Sequence, residues 1–314
     1  MSWNGTSVAG PTARRPRLAV TLGDPRGIGP EVVAKAIGQA PLGADIVLVG
    51  PDDQLEKIPA RSRIGVGVWG AKGADQARDA GLLAARSIER AVWLARAHEV
   101  DGVVTGPVEK RALHLAGYTF PGVTELLSNL TGNTPTAMML VAGTLRVVLV
   151  TTHLPLREVP NRLRTDGIVA VGRIASAALT RWWGIAAPRL ALCALNPHAG
   201  EGGLFGDEDD RVLRPAALEL GAAGPLPADT VFVRALKGEF DAVLAPYHDV
   251  GMTAVKVAGF GRGVNVTLGL PFPRTAPDHG TAFDIVGTGR ADPGSMRAAL
   301  ELAATLAERS RSGD

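Results

Sequence analysis

The chain has 314 residues, 46% of them hydrophobic and 20% charged, with 33 Lys and Arg against 31 Asp and Glu. These proportions exclude a disordered chain, and a net charge of +2 without a clustered basic excess gives no footing for nucleic-acid binding. No apolar run approaches the roughly 18 residues that span a bilayer, so neither nucleic acid nor a membrane is an expected partner.

At this length a single core usually stops growing, and two lobes are expected. Residues 1–16 are rich in Pro, Gly and Ser and carry the densest basic stretch, reaching Arg14 and Arg15 just before Arg17. They read as a flexible tail without the apolar core of a signal peptide. Asn4-Gly-Thr6 matches a glycosylation sequon, which has no meaning without secretion. Cys193 is the only cysteine, so no intrachain disulfide forms and a reducing, cytoplasmic location is expected.

Strand-like and helix-like segments alternate along the chain. RLAVTL (17–22) precedes a Gly-rich turn and the helical EVVAKAIGQA, where Pro30 suits a first helical position. DIVLVG (45–50) is a second strand. From Ala74 to about Glu99, Leu82, Leu83, Ala85, Ile88, Val92 and Ala95 are spaced for one buried helical face. DGVVTG (101–106) returns to a strand, and EKRALHLAG and TELLSNLTG read as short helices. AMMLVAG and LRVVLVTTH flank Gly143 and Thr144 as a hairpin. A helix over 165–183 leads to the strand RLALCALNPH, with further helices over 208–221 and 228–237. DAVLAPYH (241–248) and GVNVTLG (263–269) are late strands before a closing amphipathic helix. Repeated βα units with short connections predict an α/β protein with mostly parallel sheets.

Three of the six histidines end apolar, strand-like runs: LRVVLVTT leads into His153, LALCALNP into His198 and AVLAPY into His248. Carboxyl ends of parallel strands are where such folds bind ligands, and three imidazoles delivered there suit a divalent metal. Asp249 beside His248 and Asn196 near His198 are candidates to fix the ring tautomers. His98 and His114 sit in helical patterns and read as structural or surface residues.

Four other segments carry candidate chemistry. Thr21-Leu-Gly-Asp-Pro-Arg-Gly-Ile-Gly-Pro-Glu31 turns from strand to helix and could hold an anion, but it is neither a P-loop nor a dinucleotide fingerprint, and a tight βα turn accounts for it. Asn196–Gly206 is a glycine-dense loop containing His198 and Glu201, which suits a ligand-facing loop. Lys256, Asn265 and Arg274 surround GFGRGVNVTLGLPFPRT and suit a phosphate or carboxylate. Asp278-His279-Gly280-Thr281-Ala-Phe-Asp284, running on to Asp292, is a Gly-rich loop before a helix and a candidate nucleotide site.

In this order, GDPRGIGPEV, VTGPVEKRAL, TTHLPLREVP, LNPHAGEGG, GPLPADTVF, YHDVGMTAVK and GRGVNVTLGLPFPRTAPDHGTAFDIVG resemble the 4-hydroxythreonine-4-phosphate dehydrogenase family of vitamin B6 biosynthesis, from Leu18 to the last helix. DHGTAFDIVGTGRADP is also similar to the cofactor loop of isocitrate and isopropylmalate dehydrogenases. The resemblance implies two α/β/α lobes with a cleft between them. The lobes are placed at 17–125 with 258–314, carrying the cofactor loop, and at 126–257, carrying the metal site and dimer interface. It implies a homodimer in which the histidine of the YHD motif completes the metal site across the interface.

By motif, the family's metal ligands fall on His153, His198 and His248, and its substrate contacts on Thr124, Lys256, Asn265 and Arg274. The cofactor contacts fall on Asp278, His279, Gly280, Thr281, Asp284 and Asp292. Where the family reads Gly-His-Thr-Glu, this chain has Gly122-Val123-Thr124-Glu125, so the substrate pocket at Val123 has lost an imidazole.

The implied reaction is NAD- or NADP-dependent oxidation of 4-phosphooxy-L-threonine, assisted by zinc, cobalt or magnesium, with decarboxylation to 3-amino-2-oxopropyl phosphate. Lys256, Asp229 and Asp249 are the candidate bases. The alternatives are a family dehydrogenase for threonate or erythronate 4-phosphate or a cyclic dihydrodiol carboxylate, and a metal-dependent hydrolase with Glu201 as base. A binding protein with structural zinc fits less well, because such zinc takes four protein ligands, often cysteines.

Overall fold

Runs of Val, Leu and Ala such as Leu18–Val20 and Val47–Val49 are buried, as strands covered on both faces by helices require. The computed structural model describes residues 14–70 and 75–312, and its eleven strands form one continuous sheet. They are β1 (Arg17–Thr21), β2 (Asp45–Gly50), β3 (Ser62–Gly65), β4 (Gly102–Thr105), β5 (Ala137–Ala142) and β6 (Leu145–Leu149). Then follow β7 (Leu190–Cys193), β8 (Ala223–Leu226), β9 (Ala242–Ala245), β10 (Val264–Leu268) and β11 (Arg274–Pro277).

The order across the sheet is β3-β2-β1-β4-β11-β10-β5-β6-β9-β7-β8. The first five strands are mutually parallel, as are the last four. Antiparallel pairings of β11 with β10, β10 with β5 and β5 with β6 join the two sets. The fold is therefore the mostly parallel α/β arrangement that the sequence predicts, with an antiparallel seam at its centre.

Side-chain alternation divides each strand between two helical layers. Leu18 and Val20 pack into one core with Val33 of the helix Gly29–Gln39 and Met296 and Leu300 of the helix Gly294–Ser312. Ala19 points the other way, against Ile88, Ala91 and Val92 of the helix Gln76–Arg96. That helix buries Leu83, Ala85, Ile88, Val92 and Ala95 of the face read from the sequence, with Leu82 half-buried, and Ala80, Ala84, Ser87 and Ala91 are buried alongside them. The helix Thr165–Trp183 stops at Gly184, whose φ of 70° is the left-handed geometry of a helix C-terminus. The β5–β6 hairpin turns at Gly143 and Thr144 as expected.

Several elements depart from the sequence reading. The helix expected over 208–221 forms a π-helical turn, Asp209–Leu213, followed by an α-helix at Arg214–Leu220. The strands β3, β8 and β11 and the helix His248–Gly259 were not anticipated, since each strand is four residues long and none has an apolar run. Residues 1–13 of the expected tail, with the Asn4 sequon, and the expected helix start at Ala74 lie outside the described residues. Among the described residues no helix is long and apolar enough to cross a membrane.

Where the helix Gln76–Arg96 crosses the short helix Lys110–Leu115, a Cβ on Gly81 would collide with the backbone carbonyl of Ala112. Gly81→Val should therefore lower unfolding stability by about 1–3 kcal/mol through overpacking. An unchanged urea midpoint would show that this crossing is not close-packed.

Candidate active site

The antiparallel seam builds a polar floor. In β11 and β10, Arg274 lies opposite Thr267 and Ala276 opposite Asn265; in β10 and β5, Thr267 lies opposite Met138 and Asn265 opposite Leu140. Two-residue periodicity puts these six side chains on one face of the sheet. Over that face lies a cavity of about 370 Å³, walled by Lys110, Val123, Thr124, His153, His248 and His279. A larger hollow of about 690 Å³ lies at the amino ends of β1 to β3, near Arg17, Asp45 and Ser62, and gathers none of the candidate residues.

Arg274 is the dominant electrostatic feature. Its side chain is buried, at 4% exposure. One terminal nitrogen donates to Thr267 Oγ1 at 2.9 Å and the other to Thr105 Oγ1. Its Nε has no partner, and among the described residues no carboxylate pairs with it. Burial pushes its pKa down to about 10, which leaves it a cation at neutral pH. A buried charge satisfied by hydroxyls alone costs several kcal/mol, which an incoming anion offsets. Asn265 Oδ1 is also buried without a partner beside it, and so is His279 Nε2.

The histidines emerge from three neighbouring parallel strands, β6, β9 and β7. His153 and His248 face each other with ring centroids 5.5 Å apart. Burial lowers the pKa of His153, with Lys110 and His248 acting in the same direction, so the ring favours the neutral form that binds metals. Asp249 Oδ1 accepts a hydrogen bond from His248 Nδ1 at 2.7 Å, the tautomer-fixing contact expected of it.

His198 does not join this pair. It stacks near Phe205, with centroids 6.3 Å apart, in a loop whose His198, Ala199 and Glu201 have φ of 52°, 56° and 42°. Non-glycine residues in that region carry strain of the kind found at functional loops. Among the described residues no group of three metal-binding side chains forms within one chain. Asn196, expected to support His198, instead donates its side-chain amide to Glu208 at 2.8 Å and its backbone N–H to Asp209 at 2.9 Å.

Of the remaining candidates, some line the cavity and others lie away from it. Thr124 and Val123 open the helix Val123–Leu130 at its wall, and Val123 also packs on the core around Leu126 and Leu127. Asp278, His279 and Gly280 form its rim. Lys256, on the helix His248–Gly259, donates to the Asp278 carboxylate at 2.8 Å and to its carbonyl at 3.0 Å. Thr281 lends its carbonyl to Ile28 N–H at 2.9 Å, Asp284 is exposed, and Asp292 accepts from Gly294 N–H at 2.8 Å at the start of the last helix. Asp229 and Glu201 are exposed and do not line the cavity.

Sequence reasoning missed Thr105, Thr267 and Lys110. Each had a readable trace: Thr105 ends a strand before Gly-Pro, Lys110 opens the helix that follows, and Thr267 is two residues from Asn265. Arg274→Met removes the buried charge while retaining much of the volume. The variant should unfold at the same or a higher denaturant concentration. Its affinity for a phosphorylated substrate should fall roughly 30-fold or more. Earlier unfolding with unchanged calorimetric binding would contradict the anion-site assignment.

Comparison with known proteins identifies the family. The family described as pyridoxal phosphate biosynthetic protein PdxA matches residues 35–303. A 4-hydroxythreonine-4-phosphate dehydrogenase from Aromatoleum aromaticum is 44% identical, over 94% of this chain and 97% of its own. A D-threonate 4-phosphate dehydrogenase from Salmonella typhimurium is 42% identical, over 92% of this chain and 98% of its own. The crystal structure of a 4-hydroxythreonine-4-phosphate dehydrogenase from Klebsiella pneumoniae superposes with a TM-score of 0.82 at 40% identity, over 94% of this chain and 99% of that one. The chain thus belongs to the PdxA family of dehydrogenases.

Proposed function

We propose that this chain oxidises 4-phosphooxy-L-threonine with a nicotinamide dinucleotide, with decarboxylation to 3-amino-2-oxopropyl phosphate, in pyridoxal phosphate biosynthesis. The observation that carries this reading is the buried, carboxylate-free Arg274 on a cavity floor that also faces His153 and His248. An anionic substrate supplies the charge that Arg274 lacks, and anchoring it there places its hydroxyl-bearing carbons under the imidazoles.

Arg274, Asn265 and Thr124 hold the substrate, and Lys110 adds a second cation at the wall. His153 and His248 are the residues of this chain suited to a divalent ion, one ring kept neutral by burial and the other oriented by Asp249. Such an ion, when bound, polarises the substrate oxygen as a Lewis acid. Zinc, cobalt and magnesium all remain compatible with two imidazoles and substrate oxygens. Asp278, His279, Gly280, Thr281, Asp284 and Asp292 form the loop assigned to the dinucleotide, NAD or NADP, which accepts the hydride.

Of the candidates for the base that takes the hydroxyl proton, Lys256 and Asp249 contact residues that line the cavity, Asp278 and His248, whereas Asp229 is exposed and lies away from it. Lys256 is set at the cavity edge by its ion pair with Asp278. Oxidation of the 3-hydroxyl gives a β-keto acid, whose carboxylate leaves as carbon dioxide.

The homodimer in which ligands from two chains share one site is part of this reading; the resemblance gives the crossing role to His248, whereas within this chain His248 faces His153 and it is His198 that stands apart. The lobes proposed at 17–125 with 258–314 and at 126–257 put the seam between β10 and β5 at their junction.

Val123 favours a second reading within the family. An apolar wall replaces an imidazole donor beside Thr124, and D-threonate 4-phosphate becomes the rival substrate. Losing a buried polar contact discriminates strongly between substrates that differ by one polar group.

Steady-state formation of reduced dinucleotide should show turnover of 4-phosphooxy-L-threonine at least comparable with D-threonate 4-phosphate. Efficient turnover of the latter with negligible turnover of the former would transfer the assignment. Product release without dinucleotide reduction would indicate a hydrolase instead. Chelation should lower kcat by about 100-fold or more, reversibly on adding back zinc, cobalt or magnesium, without lowering the unfolding temperature much. Full activity in the chelated protein would remove the metal from the account.

A further inference from the structure

The turn after β1 does more than reverse the chain. Arg26 N–H and Nε both donate to Asp24 Oδ1 at 3.0 Å, and its Nη2 lies 2.6 Å from Asp24 Oδ2 and 2.6 Å from Glu109 Oε2. Asp24 is fully buried, and its N–H donates to the Pro107 carbonyl at 2.9 Å. One guanidinium therefore ties the turn after β1 to the turn after β4. Its Cζ lies over the ring of Phe283 at 5.0 Å from the centroid, which reaches a third segment, the 278–292 loop.

Two further contacts join the same elements to that loop. Ile28 N–H donates to the Thr281 carbonyl at 2.9 Å, and a Cβ on Gly27 would stand 2.9 Å from that same oxygen, so Gly27 permits the approach. Two turns after Ile28, in the helix Gly29–Gln39, Lys35 pairs with Glu31 at 2.7 Å and donates to the Gly289 and Ala291 carbonyls at 2.7 and 2.9 Å. Between β11 and the last helix the loop itself forms only one short helical turn, Phe283–Ile285, among the described residues. Its shape is thus held from outside, at both ends, by two cations of the first βα unit.

We propose that Arg26 and Lys35 are positioning residues that clamp the 278–292 loop in the conformation that receives the dinucleotide; this rests on the reading that the loop is the dinucleotide site. Arg26 is matched by two carboxylates, so it holds the loop through its cation–π contact with Phe283 and is not free to take a phosphate. Lys35 spends its donors on Glu31 and two carbonyls. Removing either clamp lowers the fraction of molecules with a competent loop, and apparent affinity falls in proportion to that fraction. The substrate and metal residues are on other elements and are left in place.

Binding of NAD and NADP to the full chain, measured by calorimetry, and steady-state kinetics test this together. Phe283→Ala changes an exposed ring, Arg26→Lys keeps a cation over Asp24, and Lys35→Met keeps the aliphatic stem, so each is expected to fold. Each should raise the dinucleotide Kd and KM by about tenfold, with kcat at saturating dinucleotide and substrate KM within about twofold of wild type. Gly280→Val, which adds a side chain in open space on a loop residue that lines the cavity, separates the two layers of the claim. If it weakens dinucleotide binding while the three clamp variants do not, the clamp is wrong. If it leaves dinucleotide binding unchanged, the loop reading fails and the clamp with it.

Discussion

A buried arginine without a carboxylate is the constraint around which this molecule is organised. Arg274 is the first residue of β11, the strand that pairs in parallel with β4 and antiparallel with β10. Its guanidinium rests on one hydroxyl from each neighbour, Thr105 at the end of β4 and Thr267 in β10. Folding alone gains little from a cation placed so, because desolvation outweighs two hydroxyl contacts. The cost becomes intelligible once an anion is counted among the partners, and the fold then reads as a scaffold that keeps the position dry and rigid.

The reactive groups converge on that charge from both parallel halves. The first half brings Thr105 and Lys110 after β4, and the seam brings Asn265. The second half brings His153 and His248 from adjacent strands, with Asp249 turning the second ring. In the proposed reading a cationic floor and the imidazoles beside it divide the labour: Arg274 anchors an anionic substrate, and His153 and His248 hold the ion that acts on its oxygen. The 278–292 loop closes the remaining side and is itself fastened to the first βα unit.

Much of this is legible in the sequence, and the illegible parts share one cause. Hydrophobic periodicity locates β1, β2, the β5–β6 hairpin and the long helices, because each is specified by its own residues. It cannot locate β11, whose Arg-Thr-Ala-Pro has no apolar run and which exists because β4 and β10 lie on either side. His153, His248, Asn265 and Arg274 are visible as candidates from their residue types and neighbours. Their mutual placement is not, since Arg274 meets Thr105 across 169 positions of chain through a strand order that no local pattern encodes. For the same reason Asn196 reads as a support for His198, while in the fold Glu208 and Asp209 claim it.

The central claim is that Arg274 is the anchor for an anionic group of a substrate whose hydroxyl lies toward His153 and His248. A crystal structure of the chain with 4-phosphooxy-L-threonine and a divalent ion measures this directly. The account predicts a phosphate or carboxylate oxygen within hydrogen-bond distance of the Arg274 guanidinium and the substrate hydroxyl on the histidine side of the cavity. Substrate bound elsewhere, with Arg274 still enclosed by Thr105 and Thr267 alone, would contradict it.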